Sequence, residues 1–278
     1  MPAKGLSIDH GIPAWEQVIA MLSMIDIKSS ARKRRARVGI GALPDNGKDV
    51  LRSVEIAEEN GYAEVIVFDA VQDLMVALRD NYIDAAVKGN FAPISAYDSI
   101  TETFRIQERI ERIALVQTSD GDYIFIGPVD PHSGRTYRDR LEVTRRGVRF
   151  ISSLDERPSV GILSVGHPDI MGRDANIDKW MEEAEKLVKE LKKDGIEAKN
   201  YYMDMEAAVE EDRNFIVMPD GVSGNAAFQS LAILGGGAAI GAPIINLPRV
   251  FIDTPSITKD YVDAIAFASV LGGARHVA

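Results

Sequence analysis

Two short segments carry the residue types and spacing that could do chemistry. The first is Asp220-Gly221-Val222-Ser223-Gly224-Asn225-Ala226-Ala227. It follows an apolar β-branched run at 214–218 and opens a segment of helical period. A strand leading through glycines into a helix leaves backbone N–H groups and the positive end of the helix directed at one crevice. Phosphate can be held there without a basic protein surface, with Ser223, Gly224 and Asn225 as the cradle. The same spacing also serves as a glycine-rich turn in which Ser223 or Asn225 caps the helix, and the residues alone leave both readings open. The second segment, Lys88-Gly89-Asn90, follows the run 84–87 in an equivalent place of the other half and offers an ammonium, a flexible backbone and an amide. Alone it reads as a solvated turn. Two such turns in opposite halves suggest a cleft between them.

Other charged clusters carry less. Lys28, Arg32, Lys33, Arg34, Arg35 and Arg37 could meet an anion, but fit a solvated helix end better. The same holds for Arg138, Arg140, Arg145, Arg146 and Arg149, although Arg138 or Arg145 could grip phosphate bidentately if turned to a cleft. Gly235-Gly236-Gly237 lacks the G-x-G-x-x-G spacing of a dinucleotide loop, and no serine stands in a G-x-S-x-G elbow.

The elements that must position these segments alternate between short β-rich runs and longer helical periods. Strands are expected at 37–41, 64–68 and 84–87, with helices at 48–60 and 71–80 between them, then a helix near 98–110. Runs at 113–118 and 123–127 flank Ser119-Asp120-Gly121-Asp122, and Asp-Gly between apolar runs signals a hairpin. That hairpin is expected to be a dimerisation arm or a sheet edge, and Gly127-Pro128 and Asp130-Pro131 to be simple turns. A helix at 138–150 leads to a second series: a strand at 159–165, a helix at 176–194, a strand at 214–218, a helix at 226–234, a strand at 238–246 and a final helix at 258–271. Such alternation implies βαβ units and mainly parallel sheets. The expected organisation is a first α/β domain of residues 1–152 plus 247–278 and a second of residues 153–246.

Composition sets limits. The chain has 278 residues, 46% of them hydrophobic and 27% charged, enough apolar surface for a full core. Lys and Arg number 32 against 42 Asp and Glu, a net charge of −10. General nucleic-acid binding, which rests on many cationic contacts to phosphate, is not expected. With no cysteine, disulfides, thiol nucleophiles and cysteine-based metal sites are excluded. His10, His132, His167 and His276 are scattered, so no catalytic metal is expected. No apolar run approaches the ~20 residues of a membrane span. Met1-Pro2-Ala3-Lys4-Gly5 lacks the apolar stretch of a signal peptide, so a cytoplasmic protein is expected.

At this point a family resemblance becomes specific. Met218-Pro219-Asp220 through Gly224-Asn225, followed by a helix and Gly241-Ala242-Pro243-Ile244, resembles the C-terminal motif of the phosphate acetyl/butyryl transferases. The form Asp-Gly-x-x-Gly-Asn-x-Ala is also similar to the PlsX acyl-phosphate synthases. The segment from Arg157 to Gly166 resembles the start of the second domain of these enzymes, and Asp84 to Asn90 the strand and Lys-Gly-Asn turn of the butyryltransferases. Over nearly the whole chain the pattern most resembles the methanogenesis marker proteins of the MtxX type, archaeal members of this superfamily that bear the name of a methyltransferase subunit.

The resemblance implies two α/β/α domains with an interdomain cleft, as in phosphotransacetylase and isocitrate dehydrogenase, and a homodimer. It implies acyl transfer between CoA, or a carrier protein, and phosphate, with CoA or acyl-phosphate as substrate and no tightly bound cofactor or metal. In the transferases a Ser-Arg pair and a nearby Asp follow the last strand; the arginine binds phosphate and the aspartate deprotonates the CoA thiol. Here the segment reads Ile252-Asp253-Thr254-Pro255-Ser256-Ile257-Thr258-Lys259-Asp260-Tyr261. Thr254-Pro255 stands where Ser-Arg is expected, Asp260 lies one position from the expected aspartate, and Asp253 is the alternative base. A charge-assisted guanidinium–phosphate pair is worth roughly 1.5–3 kcal/mol, and proline cannot replace it. That departure counts against ordinary phosphotransacetylase activity and admits two alternatives, a non-catalytic assembly factor and a methyltransferase-associated subunit. No thiolate, corrinoid-binding histidine motif or adenosylmethionine loop supports methyl chemistry in this chain, so a methyltransferase role would run through a partner enzyme of methanogenesis.

Overall fold

The computed structural model describes residues 24–273; the N-terminal segment read above, with His10 and His276, lies outside them. The first half contains α1 (Met24–Arg34), β1 (Arg37–Gly41), α2 (Lys48–Glu59), β2 (Glu64–Phe68), α3 (Val71–Arg79), β3 (Ala85–Val87) and α4 (Pro93–Phe104). It continues through β4 (Ala114–Gln117), β5 (Tyr123–Gly127), α5 (Tyr137–Ser152), β6 (Ser159–Leu163), α6 (Ala175–Lys193), β7 (Glu197–Tyr202) and α7 (Met205–Glu210). The last elements are β8 (Phe215–Val217), α8 (Gly221–Gln229) with a π-helical end at Ser230–Leu234, β9 (Ala238–Pro243), β10 (Val250–Asp253) and α9 (Val262–Gly273). The architecture is α/β, as expected.

The strands form one ten-stranded sheet in the order β2-β1-β3-β10-β9-β4-β5-β8-β6-β7. β2, β1, β3 and β10 are mutually parallel, as are β5, β8, β6 and β7. The contacts β10–β9, β9–β4 and β4–β5 between the two sets are antiparallel. Three reversals make the two parallel sets run in opposite directions. β9 pairs with β10 through Ala242 and Pro243 and with β4 through Ala238 to Gly241, so the sets are staggered along it. The stagger brings the C-terminal end of β10 towards that of β5, beside the bridge between Arg112 and Ile244. In open α/β sheets ligands bind outside strand C-termini where the winding reverses, and here two such edges converge.

One face of the sheet carries a single continuous apolar core, from Val38 and Ile40 of β1 to Phe215 of β8 and Leu187 of α6. α9 lies within it, with Val262 and every residue from Ala264 to Leu271 buried. A helix apolar all round must be covered on all sides, which α1, α2 and the sheet accomplish. The other face carries two separate clusters, one under α3 and α4 (Leu74, Ile100, Phe251) and one under α7 and α8 (Ile126, Ile216, Phe228). Among the described residues, no helix is long and apolar enough to cross a membrane.

Several expectations need correction. The 113–127 hairpin is neither an arm nor an edge: β4 and β5 are central strands, and Leu115, Val116, Phe125 and Ile126 are buried. The Asp-Gly turn was legible, but β5 also pairs in parallel with β8, a long-range contact its own sequence does not mark. In the sheet β4 and β5 stand beside β8, β6 and β7. The helix placed near 98–110 is Pro93–Phe104, proline being favoured in a first helical turn. The helix placed at 226–234 begins five residues earlier, at Gly221. β10, unanticipated because only Val250-Phe251-Ile252 marks it, occupies a central position. The basic run before β1 is structural: Lys28 pairs with Asp263 at 2.8 Å, Arg37 with Asp84 at 2.7 Å, and Arg34 bonds the Val270 carbonyl.

Gly89 fixes the spacing between β1 and β3. Its φ is +63°, and a Cβ there would collide with the carbonyl of Gly41. Gly61 has a similar φ of +69° but nothing within 4 Å of a would-be Cβ. Gly61→Ala should therefore cost only the left-handed penalty, about 1 kcal/mol. Gly89→Ala should cost at least about 3 kcal/mol, because the Gly41 backbone must also move. Urea unfolding of both variants checks this; equal losses would remove the close-approach argument.

Candidate functional site

The site is built from residues at the two converging strand ends. Lys88 follows β3 and is 1% exposed; Asp253 ends β10 and is 8% exposed. Lys88 Nζ lies 2.8 Å from Asp253 Oδ1. Arg112, just before β4, pairs with Asp253 Oδ2, and its Nη2 lies 3.2 Å from Asp130 Oδ2 in the loop after β5. Tyr97 of α4 donates its hydroxyl to Asp253 Oδ2 at 2.7 Å, and the Arg112 guanidinium stacks over its ring at 5.0 Å. Two cations and two carboxylates thus form one line across the junction of the half-sheets. Coulomb attraction at low dielectric must offset the desolvation of each charge, which alternation of sign and added hydrogen bonds make possible.

Burial opposes the charged form of Asp253, but the charges of Arg112 and Lys88, with hydrogen bonds from Lys88 and Tyr97, outweigh it. The carboxyl is held below the ordinary aspartate range. Burial, together with the Asp253 charge, pushes the Tyr97 phenol up, so it stays a protonated donor. Asp253 therefore holds its proton poorly. A general base works best with a pKa near the working pH, and this carboxylate is better suited to fixing the cations than to taking a thiol proton.

The other assigned residues fall into distinct places. Thr254 is buried and donates its hydroxyl to the Gly89 carbonyl at 3.1 Å, tying the end of β10 to the Lys-Gly-Asn turn. Asn90 turns away from the network: its Oδ1 accepts from the Leu43 amide at 2.8 Å and its Nδ2 donates to the Asn46 carbonyl at 3.0 Å, closing the β1–α2 loop. Asp260 is exposed, and its Oδ1 accepts from the Val262 amide at 2.9 Å at the start of α9.

The glycine-rich segment opens α8, but its donors are largely occupied from within. Asp220 is the N-cap; its carboxylate accepts from the Ser223 amide at 2.8 Å, and the Ser223 hydroxyl completes a capping box. The Gly221 amide donates to the Ser133 carbonyl at 3.0 Å. A Cβ on Gly221 would collide with the Asp130 carbonyl, and one on Gly224 with the Pro128 carbonyl. These glycines let the helix end press against the 128–134 loop, and an Asp220 carboxylate already sits at the positive helix end. Asn225 Oδ1 accepts from Gln229 at 3.3 Å. Lys88 and α8 nonetheless belong to one structure, joined through Asp253, Arg112, Asp130 and the Gly221 backbone.

Arg112, Asp130 and Tyr97 carry the junction and were not anticipated. The loop after Gly127-Pro128 looked like a plain turn, because the run 123–127 read as half of a hairpin. Its parallel pairing with β8 makes Asp130 a strand-end residue in the sense of the α/β rule. The guanidinium missing at Pro255 is supplied to Asp253 from another element. Three buried atoms at this junction have no hydrogen-bond partner among the described residues: Arg112 Nε, Ser133 Oγ and Asp253 Oδ1, the last approached by Lys88 as an ion pair. Lys88, with three donors, has Asp253 as its ion-pair partner. Among the described residues no group of three or more His, Asp or Glu is placed to hold a metal ion.

Asp253→Asn removes the charge that balances both cations and should cost about 3–5 kcal/mol, the range for breaking a buried pair. Tyr97→Phe removes one hydrogen bond to a charged group and should cost about 1.5–3 kcal/mol. Since the folded pKa of Asp253 is depressed, this stabilisation is present above the unfolded aspartate value and is lost as pH falls through the lower folded value. Denaturant titrations at pH 7 and below pH 4 test both; an Asp253→Asn penalty that persists unchanged in acid would contradict the assignment.

The chain was compared with known proteins. No family model matches it. "Putative methyltransferase mtx subunit X" of Methanosarcina mazei is 33% identical over 267 residues, covering 88% of this chain and 93% of that protein. Among solved structures, a phosphotransacetylase from Streptococcus pyogenes superposes with a TM-score of 0.66 at 14% identity, covering 91% of this chain and 98% of that one. A branched-chain phosphotransacylase from Enterococcus faecalis gives a TM-score of 0.62 at 12% identity, covering 84% and 99%. The fold is accordingly that of the phosphotransacetylases, and by its sequence the chain belongs to the mtx subunit X family.

Proposed function

We propose that this protein is a divergent, ligand-binding member of the phosphate acyltransferase superfamily, serving methyltransferase chemistry in methanogenesis through a partner enzyme. The ligand is a small anion or oxygen-rich molecule of the phosphate, acyl-phosphate or CoA class, held where Lys88 and Arg112 meet. One observation carries this reading: a buried lysine and a largely buried arginine from opposite half-sheets converge at the strand ends, and Arg112 Nε has no partner. A buried unpaired donor costs about 1–3 kcal/mol, and an acceptor oxygen entering the cleft would recover it.

A binding role is favoured over acyl transfer by the state of the two acids. Asp253 is paired and held below its ordinary range, and Asp260 is exposed at a helix start. Asp253 is engaged by Lys88, Arg112 and Tyr97, and Asp260 by the Val262 amide, so neither presents a free carboxylate to a thiol between Lys88 and Arg112. The non-catalytic assembly reading draws on the same charge balance, since a junction of two cations and two carboxylates can also serve only to hold the halves together. Binding separates the two.

Isothermal titration with inorganic phosphate, acetyl phosphate and CoA should give saturable binding of at least one ligand. Arg112→Lys should weaken that binding by about tenfold, equivalent to ~1.4 kcal/mol. Acyl-CoA with phosphate should release no thiol above blank. Absence of binding by all three ligands would leave the assembly role, and steady thiol release that Asp260→Asn abolishes would restore the acyl-transfer reading.

A further inference from the structure

Away from the strand-end junction, a groove of about 1000 Å³ runs between the C-terminal half of α5, the 105–108 loop after α4 and the β9–β10 connection. Apolar side chains line it, among them Val148, Phe150, Ile245 and Val250, together with four guanidiniums, those of Arg105, Arg146, Arg149 and Arg249, and one carboxylate, Glu108. Arg146 and Glu108 neutralise each other at 2.9 Å, with Glu111 and Glu142 adding further pairs to Arg146 at 3.0 Å. The other three arginines are different. Arg105 ends α4 in the left-handed conformation, φ +53°, and forms no ion pair among the described residues. Arg249 donates to the carbonyls of Leu78 and Ile83 rather than to a carboxylate. Arg149, two-thirds exposed, reaches Glu142 only at 3.9 Å.

In a chain with 42 acids to 32 bases, a cation is more readily paired than left alone. Arg105 without an ion-pair partner and Arg149 with only a distant one, beside one apolar groove, therefore run against the overall charge. The cations at the strand-end junction, by contrast, are already bound to Asp253. Volumes of roughly 300–1000 Å³ are those of small-molecule sites, where apolar walls bury the ligand body and a few charged groups fix its head.

We propose that this groove binds a small amphipathic anion, its apolar or aromatic body on the Val148–Phe150 side and its carboxylate, sulfonate or phosphate head held by Arg105 and Arg149. Local positive potential on a protein of net charge −10 selects an anion and excludes a cation of the same shape. This proposal does not depend on the ligand reading of the strand-end site.

8-Anilinonaphthalene-1-sulfonate, an aromatic sulfonate whose fluorescence rises in apolar surroundings, is the probe. The full chain should bind one equivalent. Arg105→Glu/Arg149→Glu reverses two surface charges and should weaken binding by at least about tenfold, equivalent to ~1.4 kcal/mol, while the unfolding midpoint stays unchanged. Uncharged N-phenyl-1-naphthylamine should bind more weakly and without response to the double substitution. Binding of the sulfonate that ignores the double substitution, or no binding at all, overturns the proposal. It also fails if sedimentation shows a dimer that Arg105→Glu/Arg149→Glu dissociates, because a second copy would then be the occupant.

Discussion

A single carboxylate holds the junction of this molecule together. Asp253 is buried at the end of β10, and Lys88, Arg112 and Tyr97 all direct donors at it. Two of these come from elements on its own side of the sheet, while Arg112 precedes β4 and reaches on to Asp130. The ion pairs therefore connect half-sheets that run in opposite directions and share little apolar packing on the face where the core divides in two. Charges buried in this way are stable only as a complete set, since each one removed leaves a neighbour uncompensated.

The second half contributes a helix end whose glycines do structural work. α8 presses so closely on the 128–134 loop that only hydrogen fits at Gly221 and Gly224, and its free amides are met by Asp220 and Ser133. A helix N-terminus attracts anions because its N–H groups are unmet and its dipole is exposed. Here the protein supplies its own anion, Asp220, at that end. The positive end of α8 is therefore already met by a carboxylate of the chain itself.

This charge arrangement bears on the difference between the chain and the solved phosphotransacylases it superposes on. A shared fold fixes where strand ends converge, while chemistry resides in the groups placed there. Pro255 carries no charge to the segment after β10, and Arg112 brings a guanidinium in from the far side, but already neutralised by Asp253 and Asp130. Charge pairing keeps Asp253 ionised against its burial, and burial keeps Tyr97 protonated, a state suited to holding geometry. The groove at Arg105 and Arg149 differs, with apolar walls, an Arg105 that forms no ion pair among the described residues and an Arg149 that reaches Glu142 only at 3.9 Å.

Local patterns in the sequence determined much of this. Alternating periods marked most of β1, α2, β2, α3, β6 and α6 to within a residue or two, because apolar spacing reports which face of each element is covered. Lys88 is legible because it follows a strand run, whereas Asp253 and Thr254 stand out only through the resemblance to the transferase motif. β10 escaped notice because its apolar run is only three residues long, and β7 because, as an edge strand, it alternates polar residues. Arg112, Tyr97 and Asp130 could not be found from their neighbours, since their roles arise from contacts across 141, 156 and 18 residues of chain. What the tertiary structure alone decided is the direction and stagger of the two half-sheets, and hence which charges meet. Pairing register is set by long-range packing, and the partner of a buried charge is whatever that packing brings within about 3 Å of it.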